Sequence, residues 1–226
     1  MKTDLEIQHD VIDELKWVPL LHASEIGVAV KNGIVTLTGT VDTYTKKYSA
    51  ENAAKKVSGV KAVAEEIEVK ISSLGKRNDT EIAEAVLNAL KWHSSVPHDK
   101  LKVKVEDGMV TLDGEVEWEY QKTSARNSVI NLLGVRGINN FIKVTPKIIV
   151  TLTEDKVRSN IIKALHRRAA RDAEKIHIET EGNKITLSGT VHTSAEKYDA
   201  ANAAWSIPGV VWVENHIDIE ADVYAY

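Results

Sequence analysis

The feature that most constrains this chain is internal. Displaced by 75 residues it matches itself, and a second displacement of 75 repeats the match without a gap. Gly39, Gly114 and Gly189 fall on one another, as do Gly59, Gly134 and Gly209, each followed by valine. Leu15, Leu90 and Leu165 coincide, and so do Leu37, Leu112 and Leu187. Such a period means one small supersecondary unit used three times, not one large enzyme core. A unit of this size folds around a thin core, which limits its stability.

Within each copy the apolar period changes in a fixed order. Ile7, Val11, Leu15 and Val18 make a helical stripe, with Asp10, Asp13, Glu14 and Lys16 largely off it. Thr3 with Glu6, and Asn78 with Glu81, have capping-box spacing; the third copy has Thr153 but Lys156 in place of the acid. Ile26, Val28 and Val30 then alternate, followed by Val35, Leu37 and Val41 against Thr36, Thr38 and Thr40. Asn32-Gly33 and Asp107-Gly108 between them are hairpin dipeptides, and Gly182-Asn183 still supplies positive φ.

A second helix is expected over 43–57, 118–132 and 193–206, stopped by the repeated glycine in a left-handed conformation. The last strand carries Ile67 and Val69, Ile142 and Val144, and Ile217 and Ile219. The predicted fold class is α+β: three tandem αββαβ units over 1–72, 78–146 and 151–221, each a three-stranded sheet covered by two helices. The β-α-β step is expected to cross over right-handed where those strands are parallel. The polar segment 72–77 reads as a short hinge, whereas the apolar 147–152 reads as a continued strand or a docking segment.

This unit resembles the BON domain of bacteria. The resemblance rests on Gly33-Ile34-Val35-Thr36-Leu37-Thr38-Gly39-Thr40-Val41, the alanine-rich second helix and Gly59-Val60. Gly108 to Val116 repeats the pattern, and Asn183 to Val191 repeats it with asparagine for the first glycine. It covers essentially residues 3–221 and implies a non-catalytic module of osmotically induced and envelope-maintenance proteins. Phospholipid binding, or support of the envelope, is the function the resemblance implies.

Residues kept in all three copies are expected to serve the fold, because one ligand seldom needs three identical pockets. Gly33, Gly39, Gly59, Gly108, Gly114, Gly134, Gly189 and Gly209 are read as structural, Gly39 and its equivalents letting a helix approach the sheet. Asn52, Asn127 and Asn202 are poor mid-helix residues, read as tying the second helix to a loop, with a polar ligand contact as the alternative. Glu65, Asn140 and Asn215 share one polar place in the last strand, read as a sheet rim or bulge.

Function is sought in what differs. The first helix of the third copy carries Lys156, Arg158, Lys163, Arg167, Arg168 and Arg171, a candidate surface for anionic lipid or a partner, or simply a solvated face. Each cation near an anionic membrane contributes about 1 kcal/mol. Trp17 and Trp92 share one position at the end of the first helix, where Arg167 replaces them in the third copy. A lid over the thin core is the expectation there, with a membrane interface or partner surface as the alternative.

Several classes fall away. Net charge is −4, and by copy it is −2, +1 and −3 for residues 1–75 (9 basic, 11 acidic), 76–150 (11 and 10) and 151–226 (9 and 12). That distribution gives no drive towards nucleic acid. Zero cysteines exclude disulfides and thiol chemistry. No phosphate loop, nucleophile elbow or metal-binding histidine pair occurs, so the expectation is no enzyme, no cofactor and no metal. No stretch is long enough to span a bilayer. The N-terminus has no signal core, so a cytoplasmic protein is expected, or a periplasmic one if a leader has been removed.

The leading functional expectation is therefore a stress-associated binding protein on an anionic phospholipid surface or an envelope protein. The alternatives are a scaffold with three similar partner-binding surfaces and a sensor of a small ligand or cation.

Overall fold

The computed structural model describes residues 2–73, 75–146, 157, 159 and 175–220. The first copy comprises α1 (Asp4–Lys16), β1 (Ile26–Lys31), β2 (Ile34–Val41), α2 (Tyr44–Lys56) and β3 (Ala62–Val69). The second comprises α3 (Asp79–Trp92), β4 (Leu101–Glu106), β5 (Met109–Val116), α4 (Glu119–Val129), β6 (Gly137–Asn140) and β7 (Lys143–Val144). In the third, β8 (Ile176–Glu181), β9 (Lys184–Val191), α5 (Ser194–Trp205) and β10 (Trp212–Ile219) are described. The class is α+β, as the periodicity predicts. The first helix of the third copy apart from Val157 and Ser159, its cap at Thr153 and the apolar segment 147–152 lie outside the described residues.

Every sheet has its middle strand in the second hairpin arm: β1-β2-β3, β4-β5-β6 with β7 also on β5, and β10-β9-β8. The hairpins are antiparallel and in the same register, pairing Val28 with Leu37, Val103 with Leu112 and Ile178 with Leu187. The return strand pairs in parallel in the second and third copies, as in Asn140 with Leu112 and Asn215 with Leu187. The repeated leucines therefore sit at the centre of each sheet, and Leu37, Leu112 and Leu187 are fully buried.

By contacts the chain forms two compact units, and the division runs through the first copy. One unit holds the described residues among 1–39, 49–66 and 148–226; the other holds 40–48 and 67–147. In the second unit, Ile82, Val86 and Leu90 of α3 pack with Val110, Leu112 and Val129. In the first, Ile185, Leu187, Ala200, Ala204 and Ile217 pack together. The second helices present alanine to their sheets: Ala125, Ala200 and Ala204 are fully buried. A methyl side chain lets the helix lie close to the strands without strain, where a larger residue would overpack a well-filled core.

Two expectations are narrowed here, the glycines to one kind of helix and the polar place in the last strand to the sheet rim, where β6 and β10 are edge strands. At Gly39, Gly114 and Gly189 (φ 131°, 131° and 119°) an added Cβ would collide with the carbonyl oxygen of Glu25, Lys100 or Lys175. The helix that comes close is thus the short 3-10 turn leading into the first strand of the hairpin, Ala23–Glu25 and His98–Lys100 in the first two copies, and neither of the α-helices. The last strand of the second copy also contains no bulge. Asn140 pairs with Leu112 and Lys143 with Glu115, so β6 and β7 share one register and no residue is inserted between them.

Candidate functional site

The first helix of each of the first two copies is fixed to its hairpin by its opening residue. The Asp4 carboxylate accepts hydrogen bonds from Asn32 N (2.7 Å) and Gly33 N (3.0 Å). Asp79 does the same for Asp107 N and Gly108 N, both at 2.9 Å. The turn donors point outward because both turn residues take positive φ: 54° and 77° at Asn32 and Gly33, 49° and 76° at Asp107 and Gly108. In the third copy positive φ falls on Gly182 (59°). There the Asn183 side chain also donates from Nδ2 to Gly209 O at 2.6 Å. The capping boxes predicted at Thr3–Glu6 and Asn78–Glu81 are present.

That anchorage sets where the far ends of α1 and α3 project. Leu15 and Leu90 are buried, at 1% exposure each, whereas Trp17 and Trp92 are 83% and 86% exposed. The lid expectation is overturned, and helix geometry gives the reason. At 100° per residue, a side chain two positions beyond a core leucine points about 200° away from it. Each tryptophan follows a lysine, Lys16 or Lys91, in the last turn. Lys16 pairs with Asp13 at 2.8 Å, and Leu20 just beyond Trp17 is 54% exposed. The remaining candidates, Lys156, Arg158, Lys163, Arg167, Arg168 and Arg171, lie outside the described residues.

The repeated polar positions change places. Asn127 and Asn202 are exposed and Asn52 half-buried, and among the described residues none of their side chains reaches a loop. The tie is made from the strand. Asn140 Nδ2 donates to Lys122 O (3.1 Å) and Asn215 Nδ2 to Lys197 O (2.9 Å). Their Oδ1 atoms accept from Ile142 N (3.3 Å) and Ile217 N (3.2 Å), clasping the last strand to the second helix. In the first copy Lys47 Nζ reaches Ile67 O at 2.7 Å. The sequence signal was available: a side chain with both a donor and an acceptor, placed beside buried isoleucine, has to satisfy two backbone groups.

Aromatic and cationic side chains from different copies also meet. In the second unit, the Arg126 guanidinium lies 4.0 Å from the Tyr48 ring centroid, and Thr45 Oγ1 donates to Ile130 O at 3.2 Å. In the first, Lys55 Nζ lies 5.2 Å from the centroid of Tyr198. These are contacts of assembly, and they hold no reacting group. Among the described residues no cluster of three or more histidine, aspartate or glutamate side chains is placed to hold a metal ion. Among the same residues no helix is long and apolar enough to cross a membrane.

Osmotically-inducible protein Y of Escherichia coli (strain K12) is 28% identical over 127 residues, spanning 54% of this chain and 63% of that protein. The match thus covers less than two thirds of the relative's own length. Among solved structures, CdsD, a structural protein of the type III secretion system of Chlamydia trachomatis, overlaps 95% of this chain and 92% of its own. Its TM-score is 0.26 at 16% identity. The periplasmic domain of the type III secretion inner membrane protein PrgH from S. typhimurium overlaps 87% of this chain and 95% of its own, with a TM-score of 0.22 at 9% identity. The BON domain model matches three times, at 3–71, 78–146 and 153–221, and with that threefold match over the repeats the chain belongs to the BON domain family.

Proposed function

We propose that this chain is a non-catalytic, stress-associated protein of the bacterial cell envelope that attaches peripherally to anionic phospholipid. The observation that carries the reading is the near-complete exposure of Trp17 and Trp92 at equivalent helix ends, each beside a lysine. An indole with an apolar body and a polar N–H suits the headgroup level of a bilayer, and an adjacent ammonium suits its phosphates. Family membership and the osmotically inducible relative support the stress association. The basic run from Lys156 to Arg171 supplies further cations in the sequence, each contributing about 1 kcal/mol when near anionic lipid.

The test is co-sedimentation with vesicles of anionic and of neutral lipid at low and moderate salt, with tryptophan emission recorded in parallel. Immersing about 60 Å2 of each ring at roughly 25 cal/mol per Å2 gives about 1.5 kcal/mol, roughly tenfold in partitioning. Trp17→Ala with Trp92→Ala is therefore expected to weaken binding by about a hundredfold, and Arg167→Glu, Arg168→Glu and Arg171→Glu to remove its salt dependence. Equal binding to neutral vesicles, or no loss in the double tryptophan variant, would defeat the proposal.

A further inference from the structure

The middle copy has a second feature that the tryptophans do not explain. A cleft of about 750 Å3 opens in the second unit between the end of β3, the start of α3, the hairpin tip at Asp107-Gly108 and the approach to β6. Its walls carry four cations, Lys70, Lys76, Arg77 and Arg136, against three carboxylates, Glu68, Asp79 and Asp107.

The carboxylates are largely engaged. Both oxygens of Asp79 accept from the hairpin N–H groups at 2.9 Å, and Glu68 pairs with Lys70 at 3.1 Å. Asp107, on the hairpin turn, lines the cleft as a third carboxylate. Among the described residues, Lys76 and Arg136 have no acidic partner within ion-pair distance.

The arginines are seated on two glycines of the fold. A Cβ at Gly108 would lie 3.1 Å and 3.3 Å from the Cγ and Cδ of Arg136, and one at Gly134 would lie 2.9 Å from the Cβ of Arg77. The Arg136 backbone is held as well, its N–H donating to Gly108 O at 2.9 Å. Positions the repeat reserves for glycine thus make a floor across which both arginine stems run.

The complete set of three cations occurs in this copy alone. The residues in line with Lys76, Arg77 and Arg136 are Met1, Lys2 and Lys61 in the first copy and Thr151, Leu152 and Val211 in the third. Lys2 is moreover committed to Asp10 at 2.7 Å.

We infer that this cleft binds a phosphate dianion, carried by inorganic phosphate or by a phosphomonoester headgroup. The Arg136 guanidinium, the Lys76 ammonium and the Arg77 guanidinium, whose Nη1 also donates to Lys76 O at 2.9 Å, suit three phosphate oxygens, since guanidinium donates in parallel pairs and ammonium adds a point charge. The volume leaves room for a small organic body beyond the phosphate. The inference does not rest on the tryptophan reading.

The test uses the full 15N-labelled chain titrated with inorganic phosphate at constant ionic strength, following the Gly108, Gly134 and Arg136 amides. Saturable shifts in the millimolar range are expected. They should weaken at least tenfold in Arg77→Gln with Arg136→Gln, stay within a few-fold in Arg136→Lys, and be unchanged in Lys102→Gln or Trp17→Ala with Trp92→Ala. Unaltered spectra away from the cleft show that each variant is folded.

A second arm compares vesicles containing phosphatidic acid with phosphatidylglycerol vesicles of matched surface charge. A preference for phosphatidic acid that the double arginine variant abolishes identifies a lipid headgroup. Saturable phosphate binding without that preference identifies a soluble phosphate compound. Absence of saturation in the wild-type chain, or unchanged affinity in the double arginine variant, overturns the inference.

Discussion

Replacing Asp79 by alanine removes both acceptors from the hairpin turn of the middle copy and leaves the fold otherwise intact. Asp107 N is exposed and Gly108 N half-buried, and both now donate to the carboxylate at 2.9 Å. Hydrogen bonds to a charged group contribute about 1.5–3 kcal/mol where water is excluded and less where it returns. Counting about 0.5 kcal/mol for the exposed donor and about 1.5 kcal/mol for the half-buried one gives about 2 kcal/mol. Loss of an acid from the first turn of α3 adds about 0.3–1 kcal/mol. Asp79→Ala should therefore cost about 2–3 kcal/mol, and Asp79→Asn, which keeps one acceptor, about half of that. Urea denaturation followed by far-UV circular dichroism reads the shift, with an unchanged slope confirming that the compactness of the denatured chain is unaltered. Hydrogen exchange at the Gly108 amide localises it. A cost below about 0.5 kcal/mol for alanine, or equal costs for alanine and asparagine, would refute the view that this carboxylate holds helix to hairpin.

Two further predictions separate similar residues. Asn140→Ala and Asn215→Ala should each cost about 1–2 kcal/mol, because the helix carbonyl and the strand N–H they serve lose their partners. Asn127→Ala, on an exposed helical position, should change stability by less than about 0.5 kcal/mol or raise it slightly through helix propensity; parity of the three in thermal melts would contradict the assignment. The third prediction concerns pH. The Thr3 backbone N–H (2.6 Å), then its hydroxyl (2.9 Å), hold the Glu6 carboxyl below its ordinary value of 4.5. A depressed carboxyl contributes fully above the unfolded value and loses that contribution as pH falls through the lower folded one. The stability gap between wild type and Glu6→Ala should therefore be constant above pH 4.5 and close below it; a gap independent of pH would count against the cap.

The skeleton was legible because the repeat prints each local rule three times. The turn dipeptides, the helical stripe through Ile7, Val11 and Leu15, and the alternation around Leu37 each fix an element through a period or a steric need. What was not legible was the partner of each polar group. Nothing in the sequence sets Asp4 and Asp79 apart from other acids in a first helical turn, yet each spends both oxygens on a turn 28 and 29 residues away. The asparagines in the second helix looked like the tie, because helix propensity flags them. The residues that make it, Asn140 and Asn215, sit in strands, where propensity says little about a hydrogen-bonding role. The collision partner of Gly39 was hidden for a related reason: sequence marks the need for glycine but not the carbonyl that imposes it.

The tryptophans show how far the repeat argument extends. A residue recurring at one place in all three copies is expected to serve the fold, and Leu15 and Leu90 meet that expectation at 1% exposure each. Trp17 and Trp92 recur with the same spacing and stand outside the core at 83% and 86%. A large apolar ring repeated at an exposed position gains nothing for an isolated unit, since its burial contributes only when another phase or molecule covers it. The third copy has Arg167 in line with them, so one position carries two exposed indoles and, by sequence, a cation, residue types that share an affinity for a polar–apolar boundary. If that shared affinity is the reason for the position, Arg167→Trp should preserve vesicle binding while Arg167→Glu weakens it. A chain in which both substitutions behave alike would show that the third copy contributes nothing at this place and that the boundary reading stops at the first two.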